Sequence, residues 1–281
     1  MRFWLSGQGF EPSISYRQRQ DDLIELDKIY NEDCLEGMKR IPDGSVDAII
    51  CDLPYGTTCC KWDSVIPFEP LWEQYQRVLK QQGNIVLFAA GMFTHRLISS
   101  NTRGFRYKLI WKKNVPTGMC SAKTRPMKYY EEICVFGAPS ATYNPQMKER
   151  VGKRKECYRY DHYCADSHHL TLGKVMKRYD PLKVQPSDIL EFDVVPNRSG
   201  KLHPTQKPVE LIRYLIRTYS NSGDTILDNC IGSGSMAIAA MREGRHFIGF
   251  ELNEEYFAKA VERIVREREA MAAVMQQQTG Q

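Results

Sequence analysis

The sequence predicts an α/β protein built on one doubly wound, mainly parallel sheet. Three observations carry this. Short apolar runs rich in β-branched residues, at 46–51, 84–89, 225–228 and 246–251, alternate with amphipathic helical stretches. The runs are apolar along their whole length, as strands covered on both faces are. Two of them end on a carboxylate followed by a turn: Asp52 before Pro54, and Asp228 before a glycine-rich stretch. Strand ends of that kind form the ligand edge of open α/β sheets.

A chain of 281 residues is long enough for one such domain. Its formal charge of +5 permits a polyanionic partner without demanding one. No apolar run is long enough to cross a bilayer, and the N-terminal apolar stretch is too short for a signal peptide. The nine cysteines are odd in number and scattered. They read as buried free thiols in a reducing compartment, so a cytoplasmic protein is expected.

In chain order, residues 1–26 form a leader in which Gly7, Gly9, Pro12 and Ser15 argue against regular structure. Lys28-Ile29-Tyr30 reads as a strand, 35–41 as a short helix closed by Pro42-Asp43-Gly44, and 46–51 as the next strand, giving a βαβ unit. Residues 67–82 fit a helix with Leu71, Tyr75, Val78 and Leu79 on one face, stopped by Gly83. A strand at 84–89, a helix at 92–101 and strands at 107–111 and 132–136 complete the first half, 27–137.

Hydrophobic periodicity fades in an insert at 138–200. There Lys148, Arg150, Lys153, Arg154, Lys155 and Arg159 form a basic run interleaved with Tyr143, Tyr158, Tyr160 and Tyr163. The run fits either a solvated surface or contacts with nucleic-acid phosphates and bases. Cys157, His162, Cys164, His168 and His169 also lie there, but their spacing matches no common zinc pattern, and no metal is expected.

Order resumes in the second half, 201–270. Pro208 opens a helix with Leu211, Ile212, Leu215, Ile216 and Tyr219 in one stripe. Strand 225–228, a glycine-rich turn, helix 236–243 and strand 246–251 follow, and Asn253 caps a final helix. The tail, 271–281, is Gln-rich after Met275 and is expected to fray.

Two stretches carry chemistry. Asp52-Leu53-Pro54-Tyr55 places a carboxylate, a free Leu53 carbonyl and an aromatic ring at one strand end, because Pro54 cannot extend the strand. The exocyclic amine of a nucleobase is a poor nucleophile, since its lone pair is delocalised into the ring. Two acceptors on its N–H groups favour a pyramidal nitrogen with a localised lone pair, and an aromatic ring can hold the flipped base. Taken alone, the tetrapeptide also fits a simple strand-ending turn.

The second stretch, Gly232-Ser233-Gly234-Ser235-Met236-Ala237, fits G-x-G-x-x-G/A between strand and helix, and Glu251 ends the next strand, where it can take a ribose. Only 47 residues follow Gly234, too few for the rest of a sheet. The first half must therefore complete it, which puts the two ligand edges side by side. Asp33 ends the first strand at the same edge and fits equally a helix N-cap.

Asn31-Glu32-Asp33-Cys34, Asp52-Leu53-Pro54-Tyr55-Gly56, His203-Pro204-Thr205-Gln206-Lys207-Pro208, Leu227-Asp228 with Gly232-Ser233-Gly234, and Glu251 together resemble the amino-methyltransferases of DNA. The match is to the group in which the catalytic motif precedes the cofactor motif, the β order, and it spans residues 29 to about 260.

The resemblance implies a class I methyltransferase fold with permuted motif order, S-adenosylmethionine as cofactor and duplex DNA as partner. It implies that Asp52, Leu53, Pro54 and Tyr55 are catalytic. Asp228, Cys230, Gly232 and Gly234 would hold the methionine end of the cofactor, Glu251 its ribose, Asp33 and Cys34 the adenine side, and Thr205 and Lys207 would line the methionine side. The insert at 138–200 sits where the family keeps its target-recognition region. Homodimers are common in the group, and the sequence names no cognate endonuclease.

Two positions depart from the family pattern. Leu53 replaces a usual Pro but still offers a carbonyl, and Cys230 replaces a usual Phe, removing an aromatic wall. Aspartate at position 52 favours adenine N6 as the acceptor. Cytosine N4, RNA or protein amide methylation, and a silent DNA-binding homologue are the alternatives.

Overall fold

The computed structural model describes residues 24–57, 63–119, 122–150, 159–160, 176–177, 182–196 and 206–279. The leader to residue 23, Cys59, Cys60, Trp62 and the cysteines and histidines of the insert lie outside these. Strand β1 (Lys28–Tyr30) leads through helix α1 (Cys34–Met38) to β2 (Val46–Cys51). Helix α2 (Phe68–Val78), β3 (Leu79–Ala89), α3 (Met92–Ser100), β4 (Phe105–Thr117) and β5 (Lys128–Gly137) follow. The insert contributes β6 (Lys148–Glu149), β7 (Arg159–Tyr160), β8 (Met176–Lys177), β9 (Lys183–Val184) and β10 (Ile189–Glu191). Then come α4 (Val209–Tyr219), β11 (Thr225–Asp228), α5 (Ser235–Arg242), β12 (His246–Phe250) and α6 (Glu254–Thr279).

Eight strands form the main sheet in the order β1-β12-β11-β2-β3-β5-β4-β10. Five of its seven pairings are parallel. The other two flank β5, which runs antiparallel to both β3 and β4. Only ten residues separate β4 from β5, too few for the crossover that a parallel neighbour needs, so the two pair as a hairpin. The sheet is thus the expected doubly wound, mainly parallel one, with an antiparallel strand near one edge. The expected adjacency of the two halves holds: β11 lies between β12 and β2, with Ile226 opposite Ala48 and Leu227 opposite Ile49.

Strand β2 shows why the centre is apolar throughout. Ala48 and Ile50 face the α4–α5 side, with Leu215 and Ala237 in the same core cluster. Ile49 and Cys51 face the α2 side, packed with Leu71 and Tyr75. All four strand residues are buried, so the strand has no solvent face on which polar residues could alternate. Asn253 caps α6 as expected, its side chain accepting from Tyr256 N at 3.0 Å.

Three stretches differ from expectation: the junction of α2 and β3, the β4–β5 hairpin, and the end of α6. The helix read as 67–82 stops at Val78, and Leu79 is already in β3 opposite Val46. The helical stripe at Leu79 also suits a strand, and pairing with β2 decides between them. Strands β4 and β5 extend well past 107–111 and 132–136, because each is the other's partner along the hairpin. Helix α6 continues through the expected tail to Thr279, in keeping with its Glu, Arg, Ala, Met and Gln content. The insert returns to the main sheet, where β10 pairs in parallel with β4. No helix among the described residues is long and apolar enough to cross a membrane.

Gly249 lies where β12 passes Ile231 and β1. A Cβ there would run into Ile231 and lie 2.8 Å from Ile29 Cγ2. Gly249→Ala is expected to cost about 1–3 kcal/mol of stability by overpacking, read as a lower urea midpoint with unchanged slope.

Candidate active site

Strand β2 ends at Cys51 and the chain leaves the sheet through Asp52-Leu53-Pro54-Tyr55. The exit is pinned from beyond the turn, since Asp63 accepts from Gly56 N at 2.9 Å and from Thr57 N at 2.8 Å. Tyr55 folds back so that its Oη donates to Asp52 Oδ1 at 2.8 Å. Its ring stacks on Phe93 of α3, with centroids 4.9 Å apart. The tetrapeptide therefore presents an oriented carboxylate beside a ring supported by a buried phenylalanine.

The second oxygen of Asp52 accepts from Lys207 Nζ at 2.5 Å. Lys207 sits just before α4, its ammonium 5.0 Å from the centre of the Phe88 ring. Glu131 Oε2 lies 3.3 Å from the same ammonium, and Lys113 donates to Glu131 Oε1. The result is a row of alternating charge: Lys113, Glu131, Lys207, Asp52. Side-chain exposure is 5% for Lys113, 16% for Glu131 and 8% for Lys207, against 24% for Asp52, which opens onto the cleft.

Burial and its neighbours set the ionisation of this row. Burial raises Asp52 above the usual carboxylate range, Lys207 opposes the rise, and Glu131 adds to it. Burial disfavours charge on Glu131, yet Lys207 and Lys113 together hold its carboxyl down to about 2. Burial likewise works against the Lys207 charge, but Asp52 and Glu131 outweigh it and hold the ammonium above the ordinary lysine range.

The neighbouring strand ends carry the second group. Asp228 ends β11 and accepts from Cys230 N at 3.1 Å. It is 6% exposed and forms no ion pair among the described residues, and burial pushes its carboxyl up to about 7. Glu251 follows β12 and accepts from Gly232 N at 2.9 Å and Asn253 N at 2.8 Å. Each Glu251 oxygen keeps a lone pair for a further donor. Gly234 has φ +75° and caps the start of α5, a backbone shape that favours glycine.

Asp33 does what its N-cap reading said, accepting from Leu35 N at 2.8 Å, and it also lines the cleft. Cys34 and Cys230 are free thiols on either side of Asn229, whose Nδ2 is 3.5 and 3.6 Å from their sulfurs. Tyr75 fixes Asn229 from below through a 2.5 Å bond to Oδ1.

One cleft of about 1330 Å³ takes in Asp33, Cys34, all four residues of the tetrapeptide, Lys207, Asp228, Cys230, Gly232 and Glu251. Gly234 stands behind it, packed near Ala260. Lys148 and Arg150 are not among its lining residues. Lys148 lies in β6 paired with β9, and Arg150 N donates to Leu182 O. Arg159 lies in β7, paired with β8. Thr205, Lys153, Arg154 and Lys155 lie outside the described residues. Among the described residues no cluster of His, Cys, Asp and Glu fits a metal ion.

Sequence reasoning passed over Lys113, Glu131, Trp111 and Phe88, all of which line the cleft. The available signal was a charged residue at a position inside a long strand. Its meaning depends on Lys207, far away in sequence.

A permuted, mainly parallel sheet with these motifs on adjacent strand ends is the architecture of a class I methyltransferase. Within that class the chain belongs to the DNA methylase family of amino-methyltransferases, whose model matches residues 46–262. Type II methyltransferase M1.MboII of Moraxella bovis is 28% identical over 260 residues, covering 85% of this chain and 96% of that protein. Type II methyltransferase M.BglII of Bacillus subtilis is 29% identical over 255 residues, covering 82% and 67% respectively. Among solved structures, the cytosine-N4-specific PvuII DNA methyltransferase aligns with a TM-score of 0.60 at 16% identity, covering 87% of this chain and 92% of that one. The M1.HpyAVI–SAM complex aligns at 0.56 and 22% identity, covering 84% and 98%. These structural likenesses establish the fold.

The raised Asp228 carboxyl ties stability to pH. The folded state holds this proton up to about pH 7, whereas an unfolded chain releases it near 4. Asp228 therefore lowers stability progressively between those two values. Asp228→Asn is expected to raise the stability of the ligand-free protein at pH 8 by roughly 2–4 kcal/mol and to leave it nearly unchanged at pH 4, measured by urea unfolding at both values.

Proposed function

We propose that this protein transfers a methyl group from S-adenosylmethionine to adenine N6 in duplex DNA, with the base flipped into the cleft. The observation that carries this reading is the meeting of Asp52 and Asp228 on adjacent strand ends, with Glu251 on the next. The chemistry of the donor set fits the cofactor. Asp228 is a buried carboxylate with no cationic partner among the described residues, which suits the ammonium of a methionine moiety. Glu251, already oriented by two backbone N–H groups, has lone pairs left for ribose hydroxyls. The turn at Gly232 leaves the backbone open to approach, and Asp33 and Cys34 line the adenine side.

When bound, S-adenosylmethionine supplies a methyl group on a sulfonium, a leaving group good enough for direct in-line transfer without a covalent enzyme intermediate. The chain's own residues orient the acceptor. Asp52 and the Leu53 carbonyl accept the two N–H groups of the amine and pull its lone pair out of conjugation. Tyr55, held against Phe93, offers its ring to the flat base. The amine loses one proton on methylation, and the Asp52 carboxylate, raised by burial, is placed to take it and pass it to water. Positioning supplies much of the rate.

Duplex DNA is the partner, with Lys148, Arg150, Lys153, Arg154, Lys155 and Arg159 contacting phosphates from the insert. Adenine is preferred over cytosine because residue 52 is aspartate.

The test is to incubate the protein with S-adenosylmethionine and unmethylated duplex DNA, digest the DNA and identify the modified nucleoside by mass spectrometry. N6-methyladenine is expected from the wild type and none from Asp52→Ala. N4-methylcytosine would keep the mechanism and change the base. No modified base despite cofactor binding would sink the reading. In a parallel titration, Glu251→Ala is expected to weaken cofactor binding about 10–100-fold, the loss of one or two hydrogen bonds to a charged group.

A further inference from the structure

Both oxygens of Asp52 already carry a donor. Tyr55 Oη is 2.8 Å from Oδ1, and Lys207 Nζ is 2.5 Å from Oδ2. An ammonium that close neutralises the oxygen an incoming amine needs. For Asp52 to accept a target amine, Lys207 has to loosen its hold. The ammonium is too buried to retreat into water, and a buried charge needs a charged partner.

One such partner stands ready. Glu131 Oε2 is buried and already ion-paired with Lys207 Nζ at 3.3 Å, but it accepts no well-aligned hydrogen bond among the described residues. The other Glu131 oxygen is held by Lys113, which rests over Trp111 at 4.9 Å, so the glutamate is fixed in place. The Phe88 ring lies beneath the Lys207 ammonium and offers it a favourable face.

We propose that Glu131 is a positioning residue that receives the Lys207 ammonium when the target amine enters, freeing Asp52 Oδ2 to accept the amine. This inference rests on the methyltransferase reading above. The lysine moves by about the difference between a short and a long hydrogen bond, and no net charge leaves the site. Asp52 exchanges an ammonium for the N–H of the base, while Glu131 fills its empty acceptor. With the wrong occupant in the cleft, Lys207 stays on Asp52 and keeps it masked.

The experiment compares wild type, Glu131→Gln and Glu131→Asp by steady-state methylation of duplex DNA across pH, with cofactor affinity and circular dichroism measured alongside. Glu131→Gln should lower kcat about 100-fold, the scale seen when one preorganised electrostatic contact is removed. The KM for DNA and the cofactor affinity should stay within about twofold, because the contact acts after binding. Its acid limb of kcat should move to lower pH, since loss of the Glu131 charge eases ionisation of Asp52. A merely structural role would not produce that movement.

Glu131→Asp keeps the charge with a shorter reach. It should lower kcat less and leave the acid limb in place, and it decides the matter if the glutamine variant does not fold. An unchanged kcat in a folded variant, or a loss confined to DNA affinity, overturns this inference alone. A wild-type protein that modifies no base overturns the methyltransferase reading and this inference together.

Discussion

The parallel pairing of β11 with β2 is the constraint on which the site depends. It joins Ile226 to Ala48 and Leu227 to Ile49, residues from opposite ends of the chain. Asp47 reinforces the seam by accepting from Thr225 N at 2.9 Å. Because parallel strands share a direction, this pairing brings the ends of both strands to one edge. Asp52 and Asp228 then face one cleft, and β12 adds Glu251 beside them. A slip of one residue in this register would turn the apolar side chains of β2 to the wrong faces, so the packing that buries the strand also fixes the spacing of the site.

The cleft shows two ways of holding buried charge. On the β2 side, carboxylates and ammonium groups alternate from Lys113 to Asp52, and each charge finds its opposite within the protein. On the β11 side, Asp228 finds no such partner among the described residues, and burial raises its carboxyl to about 7, so that close to half of it is protonated at neutral pH. The first arrangement favours the charged forms of Glu131 and Lys207 against the cost of burying them. The second leaves an unmet demand for a cation, which a cationic ligand would satisfy. The two sides fit the two ligands proposed for them: one orders an acceptor, the other waits for a positive group.

The parts legible in the sequence were those with local causes. Strands β2 and β11 have the bounds that their apolar runs announced, and the carboxylates at their ends, Asp52 and Asp228, were legible because a strand end is a local signal. Asn253 caps its helix for the same reason. The junction at Leu79 was misread because its apolar pattern suits helix and strand alike, and the choice is made by Val46 across the sheet. Lys113 and Glu131 gave no usable signal. Each is a charged residue inside a strand, and only the folded chain shows that Lys207, brought in from the start of α4, makes their burial tolerable. Lys207 was legible as a site residue from its motif, but its contact with Asp52 was not.

The strand order also governs how the chain can assemble. In the sheet, β1 and β2 are separated by β12 and β11, the last two strands in the sequence. As the polypeptide emerges from the ribosome, β2 presents an open hydrogen-bonding edge, and β1 has no neighbour to pair with. Both wait until β11 and β12 have been made, when that βαβ segment can fill the gap between them. Such long-range closure is slow, and it leaves an apolar edge exposed to other nascent chains in the meantime. The layout that sets the two halves of the cleft side by side thus makes β11 and β12 the keystone of the fold, inserted last.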